Sequence, residues 1–131
     1  RLSISTGAGA LGWLVADLHG NVAGAVSADG AAVSDAFRYD AYGLTSASVT
    51  SALPTPWRYQ GRLRLSSTGS PDLYDFGARA YAPDLAAFPS LDSFTGRALD
   101  PASLNRYLYA NANTTSLVDP DGHAAISGLC I

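Results

Sequence analysis

At 131 residues, 47% of them hydrophobic, the chain is long enough to bury one core and is not composed like a disordered segment. All eight basic residues are arginines scattered along the chain, all eleven acidic residues are aspartates, and the net charge is −3; this leaves no basic patch for a polyanion and argues against nucleic acid as a partner. No apolar run approaches the roughly 20 residues of a membrane span, and the single cysteine, Cys130, can form neither an internal disulfide nor a cysteine-based metal site. No metal and no cofactor is expected, and a chain that opens on Arg1 without a methionine reads as a piece of something longer.

Glu, Lys and Met are absent, whereas Gly, Asp, Asn, Ser and Tyr are plentiful, a vocabulary that favours strands and turns over helices. The expected fold class is all-β. Residues 1–10 read as a short strand and a glycine-rich turn. From Gly12 the chain carries two apolar runs separated by Asp17-Leu-His-Gly-Asn21 and stopped by Asp29-Gly30, which predicts strand, loop, strand and a tight hairpin turn. Ala32 to Gly43 alternates in part between apolar and polar residues. Thr45 to Pro56 and Ser66 to Pro71 are rich in Ser, Thr and Pro and are predicted to be exposed loops.

Aromatic residues with polar neighbours and a closing glycine recur at Trp57–Gly61, Leu73–Gly77 and Phe88–Gly96, so that Gly20, Gly43, Gly61, Gly77 and Gly96 stand 16 to 23 residues apart. Periods of that size imply hairpin units that need neighbours to bury their faces. Only Pro101 to Ala110 has a helical pattern, with Pro101 placed to start a turn, and its tyrosines suit a strand almost as well.

The segments Asp17-Leu-His-Gly-Asn-Val22, Arg38-Tyr-Asp-Ala-Tyr-Gly43, Trp57-Arg-Tyr-Gln-Gly61, Leu73-Tyr-Asp-Phe-Gly-Ala-Arg-Ala-Tyr81, Leu104-Asn-Arg-Tyr-Leu-Tyr-Ala-Asn-Ala-Asn113 and Val118-Asp-Pro-Asp-Gly122 resemble the Rhs/YD-repeat core, in that family's order and over about residues 13–122. The chain departs from the family pattern in having Ala82-Pro83 for Asp-Pro, Ala86-Ala87 for Gly-Arg, and Asp92-Ser-Phe-Thr-Gly96 for Asp-Pro-x-Gly. The resemblance, which extends to the C components of insecticidal toxin complexes, implies a β-hairpin segment of a hollow β-cocoon with at most one or two short helical turns near the C-terminus. It implies a YD-repeat segment over 1–79, an Rhs-associated core over 80–122 and a C-terminal tail over 123–131. It further implies a shell that encloses a downstream toxin domain and cuts it off as an aspartyl autoprotease acting once, in cis. The implied partners are the protein's own shell repeats, the released toxin and components of a secretion system, and the implied location is secreted or at a bacterial cell surface.

Hydrolysis by aspartates needs one ionised carboxylate to take a proton from water and one protonated carboxyl to give a proton to the amide; two carboxyls held close divide these roles, because both cannot readily ionise together. Asp92 and Asp119 are the expected pair, 27 residues apart, with Asp121 as the rival partner of Asp119. Arg106, 13 residues before Asp119, is expected from the resemblance to orient a carboxylate or hold the scissile carbonyl. Taken alone, Asp119-Pro-Asp-Gly122 also fits a type I turn with no catalytic role. The cut is expected after Ile131, or between Leu129 and Cys130. Cys130 with His123 or His19 makes a weaker nucleophile–base pair, since no residue is identifiable to orient the base. Two alternatives stand beside the autoprotease: a purely structural shell module, and a cell-surface module whose tyrosines bind glycans.

Overall fold

The computed structural model describes residues 2–5, 11–50, 55–66, 70–123 and 125–127. It divides into two compact units, Arg1–Asp40 with Thr45–Leu63, and Ala41–Leu44 with Arg64–Ile131. The all-β expectation holds: regular structure among the described residues is antiparallel strand, and helix is limited to three 3-10 turns at Tyr59–Gly61, Pro101–Leu104 and Ala110–Ala112. Two of these lie where short helical turns were expected, and Tyr59–Gly61 adds a third. No helix among the described residues is long and apolar enough to cross a membrane.

The first unit is a meander of β1 (Leu2–Ser5), β2 (Leu11–Ala16), β3 (Val22–Ser27), β4 (Val33–Tyr39) and β5 (Thr45–Thr50), each paired with the next. Alternation along β2 buries Leu14 between exposed Trp13 and Val15, and on the same side Val22, Ala25 and Phe37 complete a small core against which Tyr39 packs. The β2–β3 loop is fastened by Asp17, whose Oδ1 accepts the N–H groups of His19 and Asn21, both at 2.9 Å. Asn21 in turn accepts the Gln60 N–H at 2.9 Å, and the Arg58 guanidinium lies 3.8 Å over the Phe37 ring. Gly24 is required where β3 passes β4, because a Cβ there would stand 2.6 Å from the Asp35 carbonyl oxygen.

Two local expectations change. Thr45-Ser-Ala-Ser-Val-Thr50 is strand, not loop: its backbone pairs with β4 from Tyr39 to Asp35, and the hydrogen bonds offered by the edge of β4 outweigh a Ser-rich composition. Pro101–Leu104 forms a 3-10 turn with Pro at its start, and the chain then leaves helical geometry at Asn105.

The second unit holds short pairings: β6 (Tyr74–Asp75) with β7 (Ala80–Tyr81), β8 (Leu117–Val118) with β9 (Ile126–Ser127), and single bridges from Ala87 to Ala82 and to Leu108. With so little ladder, side chains carry the packing. Phe76, Tyr81, Phe88 and Tyr109 are at most 1% exposed, and each ring meets the other three at centroid distances of 4.2–6.0 Å, mostly edge to face. Such contacts stabilise by roughly 0.5–1.5 kcal/mol a pair beyond area burial. Phe76→Ala is expected to lower stability by about 3–5 kcal/mol, whereas Leu99→Ala, at a residue 99% exposed, should stay within about 0.5 kcal/mol of the parent in urea unfolding.

Candidate functional site

The aromatic cluster positions three loops. The tight turn between β6 and β7 brings Arg79 inward, since alternation puts it on the side of buried Tyr81. The stretch after Phe88 runs beside residues 106–107, with Phe88 N–H on the Tyr107 carbonyl at 2.9 Å and Asp92 N–H on the Arg106 carbonyl at 3.0 Å. The loop after β8 turns back at Gly122, whose φ is +81° and whose Cβ would stand 3.0 Å from the Arg79 nitrogen, so any side chain there is both strained and crowded. Ala78 N–H donates to the Asp121 carbonyl at 3.0 Å and ties this loop to the β6–β7 turn.

At their junction stand Asp92, 7% exposed, and Asp119, 2% exposed. Both face one nitrogen of the buried Arg79: Nη2 is 2.7 Å from Asp92 Oδ2 and 3.7 Å from Asp119 Oδ2. The two carboxylates are therefore brought to one guanidinium nitrogen. The same guanidinium donates through Nε to the Gly122 carbonyl and through Nη1 to the Arg106 carbonyl at 2.9 Å, and it lies 3.8 Å over the Phe88 ring. A planar fork with five N–H donors can meet these three acceptors in different directions and still face Asp119, which an ammonium cannot.

The remaining carboxylate oxygens are used differently. Asp119 Oδ1 accepts the N–H groups of Gly122 at 2.8 Å, His123 at 3.1 Å and Asp121 at 3.4 Å, and so closes the Asp119–Gly122 turn. Asp92 Oδ1 accepts the Phe94 N–H at 2.9 Å and lies 3.4 Å from the His123 Nδ1. Burial pushes the Asp119 carboxyl above its ordinary 3.8, against the pull of the Gly122 and Asp121 N–H groups and of Arg79. Burial also opposes ionisation of Asp92, yet there the Phe94 N–H, His123 and Arg79 prevail and hold the carboxyl below 3.8. Burial lowers the Arg79 guanidinium below its ordinary value, with Asp92 and Asp119 opposing.

Asp92, Asp119, Arg106 and His123 line one cleft of about 210 Å³, with Phe94 and Asn111 among its walls. Arg106 reaches Asp92 through the main chain: its Nε donates to the Asp92 carbonyl at 3.0 Å and its Nη2 to the same oxygen. Asp121 is exposed on the loop, its carboxylate accepting the His123 N–H at 3.1 Å. His19 is exposed in the β2–β3 loop of the first unit. Leu129, Cys130 and Ile131 lie outside the described residues. Arg79 was not expected at the site, and His123 was weighed only as a base for Cys130. The available signal for Arg79 was its period-two spacing from Tyr81, between two alanines.

No family model and no curated protein matches the chain. Among solved structures it is similar to the crystal structure of TcdB2-TccC3-Cdc42, with 27% identity and a TM-score of 0.72 over 88% of this chain and 5% of that one. The fold is shared with toxin-complex chains. A crystal structure of TcdB2-TccC3 without the hypervariable C-terminal region matches at 28% identity and a TM-score of 0.71, over 87% of this chain and 5% of that one. The Photorhabdus luminescens Tc holotoxin pore carrying a TccC3 aspartate-to-alanine mutation matches in fold at 24% identity and 0.69, over 94% and 6%. The chain thus spans about 5% of the length of the toxin-complex chains it matches.

Removing the guanidinium leaves two buried carboxylates facing each other without a cation. Arg79→Ala is expected to destabilise by about 3–5 kcal/mol, and adding Asp119→Asn to Arg79→Ala should recover part of that loss, as measured by urea unfolding of the single and double variants.

Proposed function

We propose that this chain is the C-terminal core of an Rhs-type toxin shell and that Asp92 and Asp119 cut the chain downstream of it, releasing a toxin domain within the shell. The observation that carries the reading is the opposed behaviour of two buried carboxyls that share one cleft and one cation, Asp92 held below and Asp119 pushed above the ordinary carboxyl value. That division is what general acid–base hydrolysis requires. The likeness to TccC3-containing chains supports the toxin-shell setting. The outer strands β1 and β5 present unpaired edges among the described residues, suited to the protein's own neighbouring shell repeats. A secreted or cell-surface location follows from the same setting.

In the proposed reaction ionised Asp92 takes a proton from water as the water oxygen bonds to the scissile carbonyl carbon. Protonated Asp119 then gives its proton to the departing amide nitrogen, the C–N bond breaks, and the proton on Asp92 passes back to restore the pair. Asp92 is a weak base because the Phe94 N–H, His123 and Arg79 hold it ionised; tethering of the substrate in the same chain compensates, since a peptide held in place reacts as if at high effective concentration. Arg79, buried behind the two acids, favours the ionised form of Asp92. Arg106 holds the Asp92 main chain and is assigned a positioning role. Under this reading Leu129 and Ile131 are the residues nearest the cut.

The purely structural alternative draws on the three hydrogen bonds of Arg79 and its charge contact with Asp119, which fasten three loops whether or not chemistry occurs. Intact mass of a parent chain extending beyond residue 131 separates the two. The wild type is expected as two products, with Asp92→Asn and Asp119→Asn each slower by more than about 100-fold while still folded; a wild type that stays whole overturns the autoprotease. The rate should follow a bell in pH. It falls at low pH as Asp92 gains a proton and at higher pH as Asp119 loses one, so the maximum lies between the lowered and the raised carboxyl, on either side of 3.8.

A further inference from the structure

Resting on the autoprotease reading, we propose that His123 is a positioning residue of the same site, fixing Asp119 through its main-chain N–H and Asp92 through its imidazole. The N–H donates to Asp119 Oδ1 at 3.1 Å, and Nδ1 lies 3.4 Å from Asp92 Oδ1. One residue thereby spans from the proton-giving to the proton-taking carboxyl. Its place follows from the turn that Asp119 closes: Pro120 and the positive φ of Gly122 reverse the chain, and His123 emerges opposite the Asp92 loop.

The imidazole supplies Asp92 with a third donor. Arg79 holds Oδ2, the Phe94 N–H holds Oδ1, and Nδ1 approaches Oδ1 from the cleft. An ionised carboxylate has about four acceptor positions, and each one filled keeps Asp92 from drawing the proton that Asp119 must keep. A contact of 3.4 Å is long, yet hydrogen bonds of a catalytic site commonly tighten when the substrate enters. Ser93 Oγ also lies 3.4 Å from Nδ1. Serine and aspartate therefore approach the same ring nitrogen, whereas a nucleophilic serine needs the other one; the cluster is not a serine-protease triad. The charged groups around His123 are Asp92, Asp119 and Asp121 on its own side, with Arg79 behind them, and Arg97, Asp100 and Arg106 among the residues lining the cleft.

The test follows self-cleavage of the parent chain in His123→Ala, His123→Asn and His123→Gln across pH. An asparagine amide places N–H near the position of Nδ1, and a glutamine amide near Nε2. Losing a donor to ionised Asp92 is expected to slow cleavage roughly tenfold in His123→Ala and His123→Gln, and to move the low-pH limb upward by about one unit. His123→Asn should stay within about threefold of wild type. Wild-type rate and low-pH limb in His123→Ala, or an asparagine variant as slow as glutamine, overturns this role while leaving the autoprotease intact. If His123→Ala does not fold, the comparison of asparagine with glutamine decides. A wild type that never cuts overturns both proposals together.

Discussion

The second unit depends on a guanidinium buried where two carboxylates meet. Taking Arg79, Asp92 and Asp119 out of water costs several kcal/mol per charge, and only dense, well-directed contact offsets it. Arg79 supplies that contact: Asp92 Oδ2, Asp119 Oδ2 and the carbonyls of Gly122 and Arg106 surround one fork, and the Phe88 ring lies beneath it. The order of dependence runs from the packed rings of Phe76, Tyr81, Phe88 and Tyr109 to the arginine resting on them, and from the arginine to the two acids. Loosening the rings shifts the cation, and shifting the cation takes from both acids a charge that favours their ionised forms.

The same arrangement explains why the two acids differ although both are buried beside one cation. Asp92 stands closest to Arg79 and receives the Phe94 N–H and the His123 imidazole, so ionisation is favoured. Asp119 spends one oxygen closing its own turn and presents the other at 3.7 Å from Nη2, too far for a hydrogen bond, so burial dominates. A turn that folds the chain and a carboxyl raised above its ordinary value are thus one feature. The architectural role of Asp-Pro-Asp-Gly and the role proposed for Asp119 in hydrolysis, which compete when the sequence is considered alone, are compatible in this geometry.

Local signals made much of the first unit legible. Asp29-Gly30 marks the β3–β4 turn, Asp17 to Asn21 marks the β2–β3 loop, and alternation around Leu14 marks β2. Gly20, Gly43, Gly61, Gly77 and Gly96, singled out by their spacing, all have φ between +65° and +90°, since each turn needs a backbone that side chains disfavour. β5 was not legible, because Thr45–Thr50 becomes strand only when the edge of β4 is available. At the site, Asp92, Asp119 and Arg106 were named from motifs and do line one cleft. The cation between the acids was missed for a physical reason. Nothing local distinguishes Arg79 from an arginine on a solvated strand; its burial comes from loops 13 and 40 residues further along the chain. His123 was hidden likewise, since its approach to Asp92 exists only once the Gly122 turn is formed.

The most direct test of the central claim, that two acids beside one cation titrate on opposite sides of the ordinary carboxyl value, is a pH titration of the carboxyl stretching bands by difference infrared spectroscopy. Bands are assigned by their loss in Asp92→Asn and in Asp119→Asn. The account predicts a band lost in Asp92→Asn that titrates below 3.8 and a band lost in Asp119→Asn that titrates above it. Two carboxyls titrating together at the ordinary value, or in the reverse order, would contradict it.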